Sequence, residues 1–141
     1  MNRGLTLIEL LVLLVIMAIM MGLATLMYKN WRLRWSIEAD TKDIYVFVQK
    51  ARALAFSQKR NLFVVANGNR VCINDGVSDI DCINLDNPFN GTISITDRGI
   101  FNNSSIVYTG PTNVNPQYSC VVSAVTRVRL GVYDGTNCNA K

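Results

Sequence analysis

A chain of 141 residues, half of them hydrophobic, with a formal net charge of +4 and no histidine, has room for one modest core rather than two domains. The missing histidine excludes Ser-His-Asp and Cys-His nucleophilic machinery and the common Cys/His zinc arrangements. The positive balance is too small for a dedicated nucleic-acid-binding domain.

The chain begins Met1-Asn2-Arg3-Gly4, continues Leu5-Thr6-Leu7-Ile8-Glu9, and is then apolar from residue 10 to residue 27. A run of about 18 or more apolar residues suffices to span a bilayer as a helix, so residues 5–28 are expected to be transmembrane. Glu9 stands inside the start of that run. A charge within a membrane helix costs roughly 2.5–3.5 kcal/mol on insertion scales, and by default it marks a functional position with a partner. A secretory signal peptide fits less well: Gly22-Leu23-Ala24 offers the small residues of a cleavage site, but Glu9 sits badly at the head of the apolar core.

Arg3-Gly4-Leu5-Thr6-Leu7-Ile8-Glu9-Leu10, followed by the apolar helix, resembles the leader of type IV prepilins, in which a glycine precedes a Thr-Leu-Ile-Glu-like run. The resemblance implies that residues 1–4 are a leader peptide, that a prepilin peptidase cuts after Gly4, that the new N-terminal Leu5 is N-methylated, and that Glu9 serves in assembly. Leu5 stands where most of the family carries Phe or Met. A physical role for Glu9 follows independently. An α-amino group, with a reference pKa of about 7.7–8.0, is largely protonated at neutral pH. The Leu5 amine of a neighbouring subunit is therefore a suitable partner for a carboxylate that is costly to keep unpaired in an apolar medium. Such pairing would favour docking at one axial register.

The helical pattern continues past the apolar run. Leu33, Ile37, Ile44, Phe47, Val48, Ala51, Leu54 and Ala55 share one face, whereas Arg34, Glu38, Lys42, Lys50 and Arg52 occupy the other. The first proline is Pro88, so one helix is expected from residue 5 to residue 58, with residues 29–58 as its amphipathic half. Trp31 and Trp35 suit an interfacial aromatic belt, and Gly22 is the expected weak point. Many major pilins carry a proline in this helix; its absence here points to an accessory subunit.

Residues 59–141 are expected to form an antiparallel β-sheet region, giving an α+β fold with a long N-terminal helix packed against a small sheet. Residues 62–66 and 70–73 read as a hairpin around Asn67-Gly68-Asn69. Further strands are expected at 92–96, 105–108, 118–123 and 127–133, the last ending at an Asp134-Gly135 turn. Residues 74–90 and 110–117 read as long polar loops.

Cys72, Cys82, Cys120 and Cys138 are an even set without a CxxC pair, best explained by two disulfides in an oxidising compartment. Four cysteines allow three connectivities, of which sequence proximity favours Cys72–Cys82 and Cys120–Cys138. The expected location is the inner membrane, single-pass, with the distal region periplasmic or extracellular. Lys29, Arg32 and Arg34 after the span, against Arg3 before it, favour the opposite orientation. The leader and the cysteines outweigh those charges, because dedicated machinery reads the leader.

Residues 48–65 resemble GspH/FimT-type minor pilins and pseudopilins, where an Ala-Arg-rich helix end leads into the first strand, and residues 122–129 resemble the C-terminal segment of that group. The C-terminal motif there is usually Gly-Arg-x-Arg, and some members use it to bind DNA in natural transformation; here Thr126 takes the glycine position. The resemblance implies phosphate contacts from Arg127 and Arg129, with Arg98 and Lys141 as possible helpers. Strand alternation alone makes the same pair a solvated face. Two or three phosphate contacts give only weak, sequence-independent affinity.

No catalytic residue, metal or cofactor is assigned. Neither a G-x-G-x-x-G nor a Walker sequence is present, and Thr41 and Ser57 have no partnering base. Asp75, Asp79, Asp81 and Asp86 offer oxygen ligands of the type Ca²⁺ takes, but without EF-hand spacing they read as a solvated loop. The expected function is a minor pilin of a type IV pilus, not an enzyme. Its partners would be other pilins of the filament, the prepilin peptidase and the inner-membrane assembly platform. The alternatives are a type II secretion pseudopilin and a pilus-associated DNA receptor.

Overall fold

The computed structural model describes residues 6–141, apart from the side chains of residues 23–27. The expected leader, the cut after Gly4 and the methylated Leu5 lie outside the described residues. Two compact units are present, Met1–Leu33 and Arg34–Lys141. A single helix, α1 (Leu7–Gln58, 52 residues), matches the expected element and runs through both. It ends in a Schellman-type cap: Lys59 turns left-handed at φ 52° and the Arg60 amide donates to the Ala55 carbonyl at 3.3 Å. Glycine is the usual residue at that turn.

In the second unit, six antiparallel strands form one sheet in sequential order: β1 (Leu62–Asn74), β2 (Asp79–Ile95), β3 (Ser104–Tyr108), β4 (Cys120–Ala124), β5 (Arg127–Tyr133) and β6 (Cys138–Ala140). The helix buries Ile37, Ile44, Phe47, Val48, Ala51 and Ala55, the stripe read from the sequence. From the sheet, Leu62, Val64, Phe89, Ile93, Ile95, Ile106 and Val121 are buried at the alternation a one-sided sheet requires. Full burial of a Val, Leu, Ile or Phe side chain stabilises by roughly 1.5–3 kcal/mol, which makes this layer the source of the fold.

The sheet corrects three expectations. Asn67-Gly68-Asn69 is not a hairpin turn: β1 runs straight through it, and Gly68 uses its φ of 63° for a bulge. Before the bulge Leu62, Val64 and Ala66 are buried and after it Val71, Cys72 and Ile73 are, so the inward alternation of β1 changes phase where β2 carries its extra residues. Asn-Gly suits both features, and only long-range pairing decides between them. The second correction is residues 74–90, expected as a loop, which are mostly strand β2. The real turn is at residues 75–78, where Asp75 Oδ1 accepts the amides of Val77 and Ser78 at 3.0 and 2.9 Å. The third is β6, three residues too short to show any alternation. Strand β4 also starts at Cys120, two residues later than expected.

Both expected disulfides are present. Cys72 and Cys82 are directly opposed in the β1–β2 register, Cα–Cα 4.1 Å, and Cys120–Cys138 joins β4 to β6 across β5 at 6.0 Å. Each closes a loop for which chain entropy gives about 3 kcal/mol of stabilisation.

Gly91 sits at φ 141°, opposite Ile106, where an added Cβ would overlap the Ser105 carbonyl oxygen. Gly91→Ala is expected to lower stability by about 3 kcal/mol, combining backbone strain with the clash. Urea unfolding of the detergent-solubilised chain measures it, and a loss below about 1 kcal/mol would show that β2 and β3 can separate there at little cost.

Candidate functional site

Thr6 is the N-cap of α1 and Glu9 is three residues on, the spacing of a capping box. The Thr6 amide and hydroxyl both donate to Glu9 Oε2 at 3.2 Å, and the Glu9 amide donates back to Thr6 Oγ1 at 3.4 Å. The carboxylate therefore lies at the positive end of the helix dipole, held by its own chain. This local role is separate from the pairing with a neighbour's amine expected for Glu9, and Thr-x-x-Glu before an apolar run is its signal in the sequence. The turns that follow are apolar without cover: large side chains from Leu7 to Met21 are 47–84% exposed. Soluble monomers rarely expose so much contiguous apolar surface, so a lipid or protein environment must supply what the chain alone does not.

In the second unit, a polar network fixes α1 to β2. Asp40 lies within the apolar stripe of the helix and is only 7% exposed. Its Oδ2 accepts the Asn87 amide at 2.9 Å and Asn87 Nδ2 at 2.7 Å, and Nδ2 also donates to Ser36 Oγ at 2.8 Å. Burial pushes the Asp40 carboxyl above its ordinary range, while the Asn87 hydrogen bonds pull it back only in part. Asn87 reaches the helix because residues 85–88 of β2 bulge against the single residue Asn69 of β1. From the other side, Asn69 Nδ2 ties the bulge down through the Leu85 and Asp86 carbonyls at 3.2 and 2.9 Å. Glu38 anchors the 110–117 segment by accepting the Gln117 amide at 2.6 Å.

The acidic residues considered for Ca²⁺ are dispersed over other work. Asp75 closes the β1–β2 turn, and the amides of Ser78 and Val77, with Arg60 at 3.2 Å, hold its carboxyl below the usual range. Asp81 pairs with Lys50 at 2.6 Å, which lowers its pKa, and Asp79 accepts from Asn74 at 3.0 Å. Among the described residues, the metal-type grouping is Cys72, Asp79 and Cys82, and its two sulfurs are committed to the disulfide.

The C-terminal arginines do come together. Arg127 pairs across from Ala124 and Arg129 across from Val122, both exposed on one face of β5, with Val128 buried on the other. Between them and Val122, Ala124 and Ala140 lies a cavity of about 140 Å³. The two-residue turn Val125-Thr126 closes without a left-handed residue: Lys59 is the only non-glycine with positive φ among the described residues. Thr126 thus needs no glycine to form this hairpin. Lys141 donates its amide to the Leu130 carbonyl at 3.0 Å, and Phe101 donates to Val125 at 3.1 Å, which brings the turn carrying Arg98 beside the hairpin. None of these four basic side chains forms an ion pair among the described residues.

The chain is structurally similar to the type IV minor pilin FimU of Pseudomonas aeruginosa, with a TM-score of 0.51 and 13% sequence identity, over 72% of this chain and 92% of that one. At this identity the likeness concerns the fold, which is α+β and type IV pilin-like. No family model and no curated protein matches the sequence. Among the described residues no helix is long and apolar enough to cross a membrane; the expected span, residues 5–28, falls partly outside them.

Proposed function

We propose that this chain is a minor pilin of a type IV pilus. The observation that carries the reading is the pilin-like fold entered through a helix that bares an apolar surface with a single carboxylate at its start. On this reading residues 1–4 are removed by a prepilin peptidase and Leu5 becomes the methylated terminus. The helix holds the subunit in the inner membrane until the assembly platform passes it to the filament. There the cationic terminus of one subunit neutralises Glu9 of the next, and the apolar helices bury one another. The sheet faces outward.

Mass spectrometry of the membrane-extracted chain tests the processing steps. The expected species starts at Leu5, carries one added methyl and lacks free thiols; a chain intact from Met1 rejects the reading. Recovery in a secretion-linked short pseudopilus, with no trace in long fibres, would favour the pseudopilin alternative.

Arg127 and Arg129, exposed together and free of acidic partners among the described residues, favour a second activity on the same subunit: sequence-independent DNA binding. The low-salt electrophoretic shift expected for the parent should disappear in Arg127→Gln/Arg129→Gln. With about three phosphate contacts, log K should fall against log salt with a slope near −3 on duplex DNA. No shift with the parent removes this activity and leaves the filament role standing.

A further inference from the structure

The hollow on the β4–β5 hairpin has a shape that charge alone does not explain. Arg127 and Arg129 lie two residues apart on one face of β5, a spacing of about 6.6 Å along a strand. A flat ring in contact with a flat group on either side needs roughly 3.5–4 Å to each, or about 7–8 Å in all. Two guanidinium groups at this spacing form the walls of a slot for one ring, and guanidinium planes stack on aromatic faces. The floor of the slot is low. The residues directly across on β4 are Val122 and Ala124, and Ala140 borders the same hollow from β6. Its volume of about 140 Å³ is well below the roughly 300–1,000 Å³ of ligand pockets, so it admits one ring system and not a whole ligand.

The surroundings of the slot select its occupant. Neither arginine forms an ion pair among the described residues, and the turn carrying Arg98 brings a third cation beside the hairpin. A neutral aromatic side chain would fill the slot and leave these charges unanswered. A free phosphate or a sulfated sugar would answer the charges and leave the apolar floor uncovered. A nucleotide supplies both the ring and the anion. In a duplex the bases show a protein only their edges, in the grooves. An unpaired base can be splayed out and stacked on guanidinium planes.

We propose that this slot takes an unpaired nucleobase, so that the chain prefers single-stranded to duplex DNA. The proposal rests on the DNA-binding reading and adds to it a demand that phosphate contacts cannot create. Phosphate contacts alone favour the duplex, whose charge density is higher and whose salt slope is about −0.9 per contact against about −0.7 for a single strand. A preference for the single strand therefore reports the base.

The test is fluorescence anisotropy of the full chain, in detergent, with three labelled probes of equal length: oligothymidylate, the same backbone with abasic sites, and a duplex. Oligothymidylate should bind about tenfold more tightly than the abasic strand, the effect of one stacked base, and more tightly than the duplex. Arg127→Lys/Arg129→Lys keeps both charges and removes the flat groups, so duplex binding should persist while the advantage of oligothymidylate is lost. Ala124→Leu, which fills the hollow from its floor, should do the same. Equal affinity for oligothymidylate and the abasic strand, or an undiminished preference in the lysine variant, overturns the proposal and leaves DNA binding standing. No binding of any probe removes both.

Discussion

Glu9→Gln is expected to cost the chain its place in the filament while leaving its helix intact. Glutamine also serves at the third position of a capping box, so the reach back to the Thr6 amide survives. What disappears is the charge. In the proposed filament a partner amine would then be buried without a counter-ion, at a cost of about 3 kcal/mol or more, so incorporation should fall more than a hundredfold. Thr6→Ala supplies the converse: it removes the cap, worth about 1 kcal/mol, and keeps the carboxylate. Immunoblots of sheared filaments against the membrane fraction compare the two. If Glu9→Gln assembles like the parent, or Thr6→Ala fails as badly as Glu9→Gln, the carboxylate acts only on its own helix.

Asp40→Ala is expected to destabilise the second unit by about 3 kcal/mol, because the Asn87 amide and side-chain NH₂ both lose their buried acceptor. Asp40→Asn should be far milder, since an amide oxygen still accepts and no charge needs burying. The two variants also differ from the parent in pH response. Burial raises the folded-state pKa of Asp40, so the folded chain holds this proton more tightly than the unfolded one. Stability from this group is therefore greatest below the unfolded pKa and is lost as pH rises through the folded value. Urea midpoints of the parent, taken relative to Asp40→Asn, should fall as pH rises from the acid end of that window to neutrality. A flat difference would mean that the Asp40 carboxyl binds its proton equally well in the folded and unfolded chain.

The helix was legible because its signals are local: no proline interrupts it, and Ile37, Ile44, Val48, Ala51 and Ala55 repeat at helical spacing. The same stripe carries two polar residues. Asp40 and Thr41 fall on the buried side of a helix between Ile37 and Ile44, and polar residues there need partners. The Thr41 hydroxyl donates to the Ile37 carbonyl one turn back at 2.7 Å and lies 3.4 Å from the distant Tyr118 carbonyl, whereas Asp40 depends on Asn87, far along the chain. No local pattern announces such pairs. Strand β2 hid for a related reason. Asp79, Asp81, Asn84, Asp86 and Asn87 give it a loop's composition, and it is strand because β1, the Cys72–Cys82 bond and the Lys50–Asp81 pair hold it there. The hairpin bearing Arg127 and Arg129 was legible as a strand pair, whereas the arrival of Arg98 beside it depends on the Phe101–Val125 contact.

The Cys120–Cys138 bond passes over β5 beside Gly131, and the strand it secures, β6, has three residues, all paired with β5. Reducing that bond would loosen β6 and leave β5, with its arginines, as the rim of the sheet. A rim of unspent amides and carbonyls invites another strand to zip on. With the bond in place the outer edge is a strand of only three residues, too short to offer a long template for a foreign strand.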